Sequence, residues 1–342
     1  MKIALIGPGI MSIPPQGWGA VEILIWDYAT ILREKGHQVD ILNEIRSSPA
    51  DQAAPYTPYC QRLIAKINSG DYDFVHLHYD CLFHIMMYLI CPKKAITSHY
   101  PYIDQLEKHR RDGYSPIFDY MIRQTDCMNF VLAEKDANVL LKFGARPETI
   151  RIMKNGVKSG YFQYQPTSNL ESESGEGEKT IYLGKITPRK NQAKYQSIVG
   201  VDFVGDCEDT GFQQGSRNYL GPWTREQIYR DLTKYANLLL ISQGEADPLV
   251  IKEALVSGLG VVINRGCFEP PPNEEIPEFI TILEEDSSKL GDLEYIREKI
   301  EENKRICRGK RDIIRAYGIR HFDMNVVIED YVSHILDSTK EK

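Results

Sequence analysis

The chain has 342 residues, more than one average domain contains, and this length predicts two domains. Its hydrophobic fraction of 42% and charged fraction of 26% are typical of a globular protein. A formal net charge of −7 argues against nonspecific binding to nucleic acid, and no run approaches the roughly 18 consecutive apolar residues of a membrane span.

The first half of the chain alternates short apolar, β-branched runs with amphipathic segments of helical period. This alternation is typical of a parallel α/β sheet. The spacing predicts a helix from about Val21 to Lys35, and Gly36 suits the left-handed position that ends a helix. Strands are predicted at KIALIG, QVDILN, FVHLH, AITSH, NFVLA and IRIMKN.

The second half resumes this alternation after Asn169–Lys179, an acidic segment rich in glycine and serine that we expect to be solvated. The pattern therefore predicts two similar α/β domains, an N-terminal one over residues 1–160 and a C-terminal one over residues 161–321. An amphipathic helix over about residues 322–338 is expected to pack back on the first domain. Further strands are predicted at TIYLGK, VDFVGD, NLLLIS, GVVINR and FITILEE.

The segment GPGIMS after the first predicted strand resembles the start of a dinucleotide-binding loop, with Gly7 and Gly9 in place. Ser12 stands at the third glycine position, and a long loop separates it from the helix near Val21. The dinucleotide fingerprint needs a tight turn that leads directly into the helix N-terminus. The sequence therefore argues against an NAD(P)-dependent oxidoreductase.

Two glutamates stand around a predicted helix start in ISQGEADPLVIKEALVSG. Glu245 lies in the loop after a strand, and Glu253 lies in the helix that follows. Pro248 suits the first helical position, and the N–H groups of Leu249 and Val250 point out of the helix N-terminus, where an anion is favoured. Carboxylates on both sides of a bound phosphate can accept hydrogen bonds from sugar hydroxyls. The alternative is that both glutamates are surface residues at the first helical turn and bind no ligand.

Two lysines follow the first strand of the second predicted domain. In YLGKITPRKNQ, Lys185 ends the strand beside Gly184, and Lys190 begins the next helix. Cations at the carboxyl end of a strand lie where α/β sheets bind ligands, and they can neutralise a leaving diphosphate without a metal. The alternative is a solvated basic turn.

The segment HLHYD places His76 and His78 on one face of a strand, with Asp80 two residues further on and His84 nearby. The spacing is not that of a structural zinc site, and no cysteine pair accompanies it. We therefore predict no metal, and we expect both histidines to lie near the rim of a cleft.

These segments together resemble glycosyltransferase family 4, the retaining enzymes of the two-domain GT-B fold. EADPLVIKEALVSG is similar to the family's E-x7-E motif, and GKITPRKN is similar to its segment G-R-x-x-x-x-K-G. VGDCED, KNGV and PPQGWGAVE resemble three further family segments, and the resemblance covers nearly the whole chain in the right order. It implies two Rossmann-like domains whose parallel sheets face each other across a cleft.

The resemblance implies that the second domain binds a nucleotide diphosphate-sugar donor. Glu253 would bind the ribose hydroxyls, and Glu245 would hold hydroxyls of the donor sugar. Lys185 and Lys190 would stabilise the diphosphate as it leaves. The diphosphate itself would meet the backbone around the turn and helix start at Gly184, Pro248, Leu249 and Val250.

In the first domain, the resemblance points to the end of AITSHYP and to the loop PPQGWGAVE. His99 matches a family histidine near the donor sugar and the reacting centre. Gly19 and Ala20 match paired glycines whose backbone approaches donor and acceptor. The implied reaction is metal-independent transfer to a hydroxyl acceptor with retention at the anomeric carbon, and it needs no cofactor besides the donor.

Three departures from the family pattern keep an alternative open. Ala20 replaces the second glycine, and Lys185 replaces an arginine fork with a point charge. Asp247 and Pro248 replace an aromatic–glycine pair, and Asp247 is placed to cap the helix and compete with phosphate for its N–H groups. The alternative is a catalytically degenerate member that binds nucleotide or sugar as a partner subunit.

The sequence leaves the nucleotide base open between UDP and GDP, and it does not identify the sugar or the glycoconjugate acceptor. The basic cluster Lys108–Arg111 fits an acceptor, an anionic surface or a solvated helix face, so peripheral contact with a membrane stays open. Seven scattered cysteines without C-x-x-C spacing favour a reducing, cytoplasmic compartment.

Overall fold

The structure is a computed structural model that describes residues 1–15, 19–46, 57–166, 179–271 and 273–337. The chain divides into two compact units. Unit 1 contains Met1–Asn155 and Met324–Lys342, and unit 2 contains Gly156–Asp323. The segment that we expect to be solvated, Asn169–Lys179, lies outside the described residues apart from Lys179.

Unit 1 is built on a parallel sheet, and each of its predicted strand segments overlaps one strand. The strands are β1 (Lys2–Ile6), β2 (Gln38–Leu42), β3 (Phe74–Leu77), β4 (Lys94–Thr97), β5 (Cys127–Val131) and β6 (Ile150–Ile152). Within the described residues their order is β2-β1-β3-β4-β5-β6. Ile3 pairs with Val39 on one side and with Phe74 on the other. Strands β3, β4 and β5 are buried along their whole length, as expected for a parallel sheet with both faces covered.

Helices connect these strands. They are α1 (Ala20–Glu34), α2 (Pro58–Asn68), α3 (Leu106–Asp112), α4 (Ser115–Arg123) and α5 (Glu134–Lys142), with a 3-10 helix at Asp80–Tyr88. Helix α1 ends as the sequence predicts, because Gly36 has a φ of +85° and donates its N–H to Arg33 O while His37 donates to Leu32 O.

Unit 2 contains a second parallel sheet. The strands are β7 (Thr180–Leu183), β8 (Val201–Val204), β9 (Asn237–Leu240), β10 (Gly260–Asn264) and β11 (Ile280–Leu283). In the described part of the chain their order is β11-β10-β9-β7-β8, so β7 and β9 are adjacent in the sheet. The helices are α6 (Gln192–Tyr195), α7 (Arg225–Asp231), α8 (Leu249–Val256), α9 (Leu293–Cys307) and α10 (Arg311–Phe322).

The last helix, α11 (Met324–Asp337), belongs to unit 1. It packs against α1, and its fully buried Tyr331 lies edge-on to Tyr28 with ring centroids 5.0 Å apart. In the described part of the chain no helix is long and apolar enough to cross a membrane.

A buried arginine fixes the far end of α8. The Arg311 guanidinium donates to the carbonyl oxygens of Tyr235 at 2.8 Å, Thr233 at 2.5 Å, Ser257 at 3.2 Å and Gln165 at 3.2 Å. Burial lowers the pKa of Arg311 to about 10. Because these carbonyls come from three separate stretches of chain, Arg311 holds the C-terminal end of α8 against the elements around it.

Helix α8 is also fixed by close packing against α10. A Cβ atom at Gly318 would lie 2.8 Å from the backbone of Leu255 and Val256. Only glycine allows the two helices to approach this closely. The C-terminal end of α8 is therefore held closely against α10.

Candidate active site

Two glycines shape the sheet edge where β7 and β8 end. Gly184 and Gly205 have φ values of +141° and +153°. A Cβ at Gly205 would lie 2.0 Å from the Gly184 carbonyl oxygen, and a Cβ at Gly184 would lie 3.1 Å from Lys190 Nζ. The absence of side chains lets the two turns pack together and lets the Lys190 amine lie over the end of β7.

Arg189 fixes the loop that follows β9. Its Nη1 donates to Ser242 Oγ at 3.2 Å and to the Gly244 carbonyl, while its own carbonyl accepts from Gln243 N at 2.9 Å. Asn264 holds the backbone of Ser242 through two hydrogen bonds of 3.0 Å. Arg189 is not among the residues predicted from the sequence, although it lies between Pro188 and Lys190 in the predicted basic turn.

Glu245 lies between two cations at this edge. Its Oε1 is 3.2 Å from Arg189 Nη1 and 3.5 Å from Lys190 Nζ, and its side chain is 10% exposed. The same oxygen is buried and accepts no well-aligned hydrogen bond from the described residues. Glu245 is thus a charge-compensated carboxylate that keeps its capacity to accept a hydrogen bond from a ligand hydroxyl.

The two predicted lysines lie in different surroundings. Lys190 is beside Glu245 with a side chain that is 13% exposed, whereas Lys185 forms an ion pair with Glu208. Glu208 is 56% exposed, and ion pairs with an exposed partner contribute little to stability. Of the two predicted lysines, Lys190 is therefore the one that the fold holds beside Glu245.

The helix start lies one residue later than the sequence predicts. Pro248 is the N-cap residue of α8, and the first helical residues are Leu249 and Val250. Asp247 forms an ion pair with Lys252, whose side chain is 1% exposed. The sequence argument considered Asp247 only as a helix cap and did not foresee this pair, because nothing local shows that Lys252 is buried and needs a partner.

Glu253, on the first turns of α8, is almost completely buried. Its Oε1 accepts from Arg225 Nη1 at 2.5 Å, and its side chain is 2% exposed. Burial opposes the charge of Arg225, but the ion pair with Glu253 outweighs it and raises the pKa of the guanidinium. Arg225 is not among the residues predicted from the sequence, because it begins α7 and lies far from Glu253 along the chain.

The predicted residues of the N-terminal half lie in unit 1. Gly19 is the buried N-cap residue of α1, with a φ of +137°, and Ala20 is the exposed first residue of the helix. A Cβ at Gly19 would lie 3.0 Å from Glu22 Oε2, and burial raises the pKa of Glu22. His99 follows β4, is half-buried, and stacks on His78 with ring centroids 6.4 Å apart. Trp18 of the same loop lies outside the described residues.

His76 and His78 lie inside unit 1, not at a rim, because β3 is buried on both faces. His76 bonds through Nδ1 to Tyr331 Oη at 3.0 Å and through Nε2 to Thr97 Oγ1 at 2.7 Å. The His76 and His78 rings are 3.8 Å apart, and they line a cavity of about 10 Å³, which is room for one water molecule, together with His99. Burial and the neighbouring histidines lower the pKa of both, so both are neutral.

Among the described residues no three His, Cys, Asp or Glu side chains form a group that could hold a metal.

A buried carboxyl group holds the loop that carries His99. Ser98 Oγ donates to Asp80 Oδ2 at 2.5 Å and lies 2.7 Å from Tyr114 Oη. Burial raises the pKa of Asp80 to about 6. Since Ser98 directly precedes His99 in the chain, this hydrogen-bonded cluster fixes the backbone from which the His99 side chain extends.

The architecture defines the fold class. Two α/β units, each with one parallel sheet, form the GT-B fold, as the sequence resemblance implies. Sucrose-phosphate synthase from Thermosynechococcus elongatus has this fold, with a TM-score of 0.74 and 14% identity over 100% of both chains.

Two further solved structures are similar along their whole length. Anabaena HepE in complex with UDP-glucose has a TM-score of 0.68 and 18% identity, over 99% of this chain and 100% of that one. WaaG, a glycosyltransferase involved in lipopolysaccharide biosynthesis, has a TM-score of 0.68 and 13% identity, over 97% and 99%. No protein-family model and no curated protein sequence matches the chain.

Proposed function

We propose that the protein is a retaining, metal-independent glycosyltransferase that moves a sugar from a nucleotide diphosphate-sugar donor to a hydroxyl acceptor in glycan or glycoconjugate synthesis. One observation carries the proposal. Glu245 presents a buried carboxylate oxygen without a well-aligned hydrogen-bond donor among the described residues, between Arg189 and Lys190 and beside the N-terminus of α8. This arrangement places an acceptor for sugar hydroxyls next to groups that attract an anion.

The donor would bind to unit 2 in two parts. Its diphosphate would meet the backbone N–H groups of Leu249 and Val250 at the start of α8, where the helix dipole favours negative charge. Its transferred sugar would donate hydroxyl hydrogen bonds to Glu245. HepE has been solved with UDP-glucose, which supports a uridine or similar nucleotide as donor here.

Chemically, the bond between the anomeric carbon and the diphosphate oxygen breaks, and its electron pair leaves with the diphosphate. The acceptor oxygen forms its new bond on the same face of the sugar, which retains the anomeric configuration, and its proton passes to the leaving diphosphate. Lys190 would offset the charge that develops on the diphosphate, a form of catalysis that a preorganised cation provides. His99 of unit 1 is assigned to the hydroxyls of the sugar, and Gly19 and Ala20 to backbone contacts with donor and acceptor.

The test starts from the wild-type protein. Thermal unfolding is followed with UDP, GDP, ADP and their sugars, and any stabilising nucleotide sugar is then assayed for transfer and for slow hydrolysis. We expect stabilisation by at least one donor, with turnover that Glu245→Ala and Lys190→Ala both reduce. Glu275→Ala and Lys194→Ala, at exposed positions of unit 2, are the matched controls and should retain activity.

Two outcomes would contradict the proposal. Undiminished turnover in both Glu245→Ala and Lys190→Ala would show that this edge of the sheet is not the active site. Binding of a nucleotide without turnover over a broad acceptor panel would favour the alternative of a nucleotide-binding partner subunit. The proton nuclear magnetic resonance spectrum of the product's anomeric position checks retention separately.

A further inference from the structure

Arg225 is the more exposed member of its ion pair with Glu253. Glu253 is 2% exposed, whereas Arg225 is 16% exposed, and the two are joined at 2.5 Å. A ligand that approaches this part of unit 2 therefore reaches Arg225 at least as readily as Glu253. If Glu253 alone bound the ligand, Arg225, the more accessible member of the pair, would have no role.

The guanidinium is held in place from behind. Its Nε and Nη2 lie 3.4 Å and 3.3 Å from Tyr229 Oη, and its centre is 4.7 Å from the Tyr229 ring. Tyr229 in turn stacks on Tyr161 at 5.4 Å and lies edge-on to Phe162 at 5.0 Å. Arg225 is thus a preorganised group, and a ligand need not order it at an entropic cost.

Arg225 has more N–H groups than the described residues supply acceptors for. A guanidinium carries five N–H groups, and the described contacts use one for Glu253 and two for Tyr229. One N–H on Nη1 and one on Nη2 remain without an acceptor in the described part of the chain. They lie beside a carboxylate that still has lone pairs to accept hydrogen bonds.

We propose that Arg225 and Glu253 recognise the vicinal diol of the donor's ribose as one unit, with Arg225 as a specificity-determining residue. Each hydroxyl of a diol both donates and accepts, so a donor and an acceptor fixed side by side complement it better than a lone carboxylate. The inference rests on the proposed function, since it assumes that a nucleotide binds to unit 2. The same chemistry fits a diol on the transferred sugar, and the experiment separates the two sources.

Calorimetry measures the dissociation constants of UDP, GDP and ADP and of their 2′,3′-dideoxy forms. None of these ligands carries the transferred sugar, so any preference for the ribonucleotide belongs to the ribose. For the wild type we expect a preference of about 10- to 100-fold, the range of hydrogen bonds to charged groups. In Arg225→Gln the preference should fall to within about threefold, while Arg225→Lys keeps the charge and should retain part of it.

Two further variants keep the result interpretable. Arg225→Gln leaves Glu253 buried without its cation, so Arg225→Gln/Glu253→Gln removes both charges and restores a neutral pair. We expect the double variant to show the same small preference as Arg225→Gln, because both substitutions remove one unit. Arg230→Gln, on the same helix but in an exposed pair with Asp231, should keep the wild-type preference.

The possible outcomes distinguish failure of the proposed function from failure of the role assigned to Arg225. A wild type that binds none of the three nucleotides overturns the proposed function and this inference with it. A wild type that binds, with an unchanged ribose preference in Arg225→Gln and in the double variant, overturns this inference alone. If dideoxy forms bind normally but UDP-glucose binds more tightly than UDP only when Arg225 is present, the diol belongs to the transferred sugar, and the ribose assignment is wrong.

Discussion

Helix α8 of unit 2 and the histidine cluster of unit 1 bury different polar groups. Helix α8 and the loop before it bury ions in pairs, with Glu253 against Arg225 and Lys252 against Asp247. The histidine cluster of unit 1 buries imidazoles, which bond to hydroxyl groups and stack on one another. A site that binds an anionic diphosphate needs fixed charges, whereas a surface that only positions a sugar or an acceptor does not. The difference therefore agrees with a division of labour in which unit 2 holds the charged part of the donor.

The largest effect should come from breaking a buried pair of unit 2. Lys252→Met leaves the Asp247 carboxylate, 9% exposed, without the Lys252 cation. Removing one partner of a buried pair typically costs about 3–5 kcal/mol, because the other charge stays uncompensated. Chemical unfolding should show this loss, and Lys252→Met/Asp247→Leu should recover most of it. If Lys252→Met alone unfolds like the wild type, the pair does not hold the loop before α8.

The next largest effect should distinguish the two predicted site lysines of unit 2, Lys190 and Lys185. We expect Lys190→Ala to lower kcat about 100- to 1,000-fold, the usual range for loss of one preorganised electrostatic group. Lys185→Ala should cost about tenfold or less, because Lys185 is paired with an exposed glutamate. Steady-state kinetics at saturating donor compares the two. Equal losses would mean that both lysines reach the diphosphate and that the Lys185–Glu208 pair opens in the complex.

The sequence places Glu245 and Lys190 of unit 2 at one sheet edge for a physical reason. Each lies in the segment that follows a predictable apolar strand, and adjacent parallel strands bring their carboxyl ends together. Arg225 and Arg189 were missed because pairing between surface-type residues leaves no periodic pattern. In unit 1, His76 meets Tyr331 from the far end of the chain, a contact with a sequence separation of 255 residues that only the folded chain creates.

All eleven strands in the described part of the chain overlap segments that the sequence predicts, since buried parallel strands are continuous apolar runs in the sequence. The burial of the histidines was not predictable from the sequence, because a strand such as FVHLH has the same pattern whether its polar side chains face a cleft or a packed helix. The docking of α11 on α1 decides this, and it buries His76 and His78 completely. A local pattern therefore identifies polar residues on a strand without showing which neighbour will cover them.

Acid should destabilise unit 1 through these histidines. Their pKa is lowered in the folded chain, so below the ordinary value of about 6.5 the unfolded chain binds more protons than the folded one. Stability is thus lost as pH falls below about 6.5, with a slope of at most about 2.7 kcal/mol per pH unit for two groups. Unfolding followed by hydrogen exchange in β3 and β4 measures the slope. His78→Phe should roughly halve it, and an unchanged slope would mean that other groups dominate.

The smallest effect comes from Asp80, and its sign is opposite. Its pKa is raised to about 6, so between about pH 6 and the ordinary carboxyl value near 3.9 the folded chain binds the extra proton. Asp80 therefore adds stability as pH falls through this range, by at most about 1.4 kcal/mol per pH unit, and partly offsets the histidines. Asp80→Asn can still accept from Ser98 but no longer titrates, so the acid loss of stability should become steeper than in the wild type. The two stability curves should diverge as pH falls through about 6; parallel curves down to pH 4 would mean that the pKa of Asp80 is not raised in the folded chain.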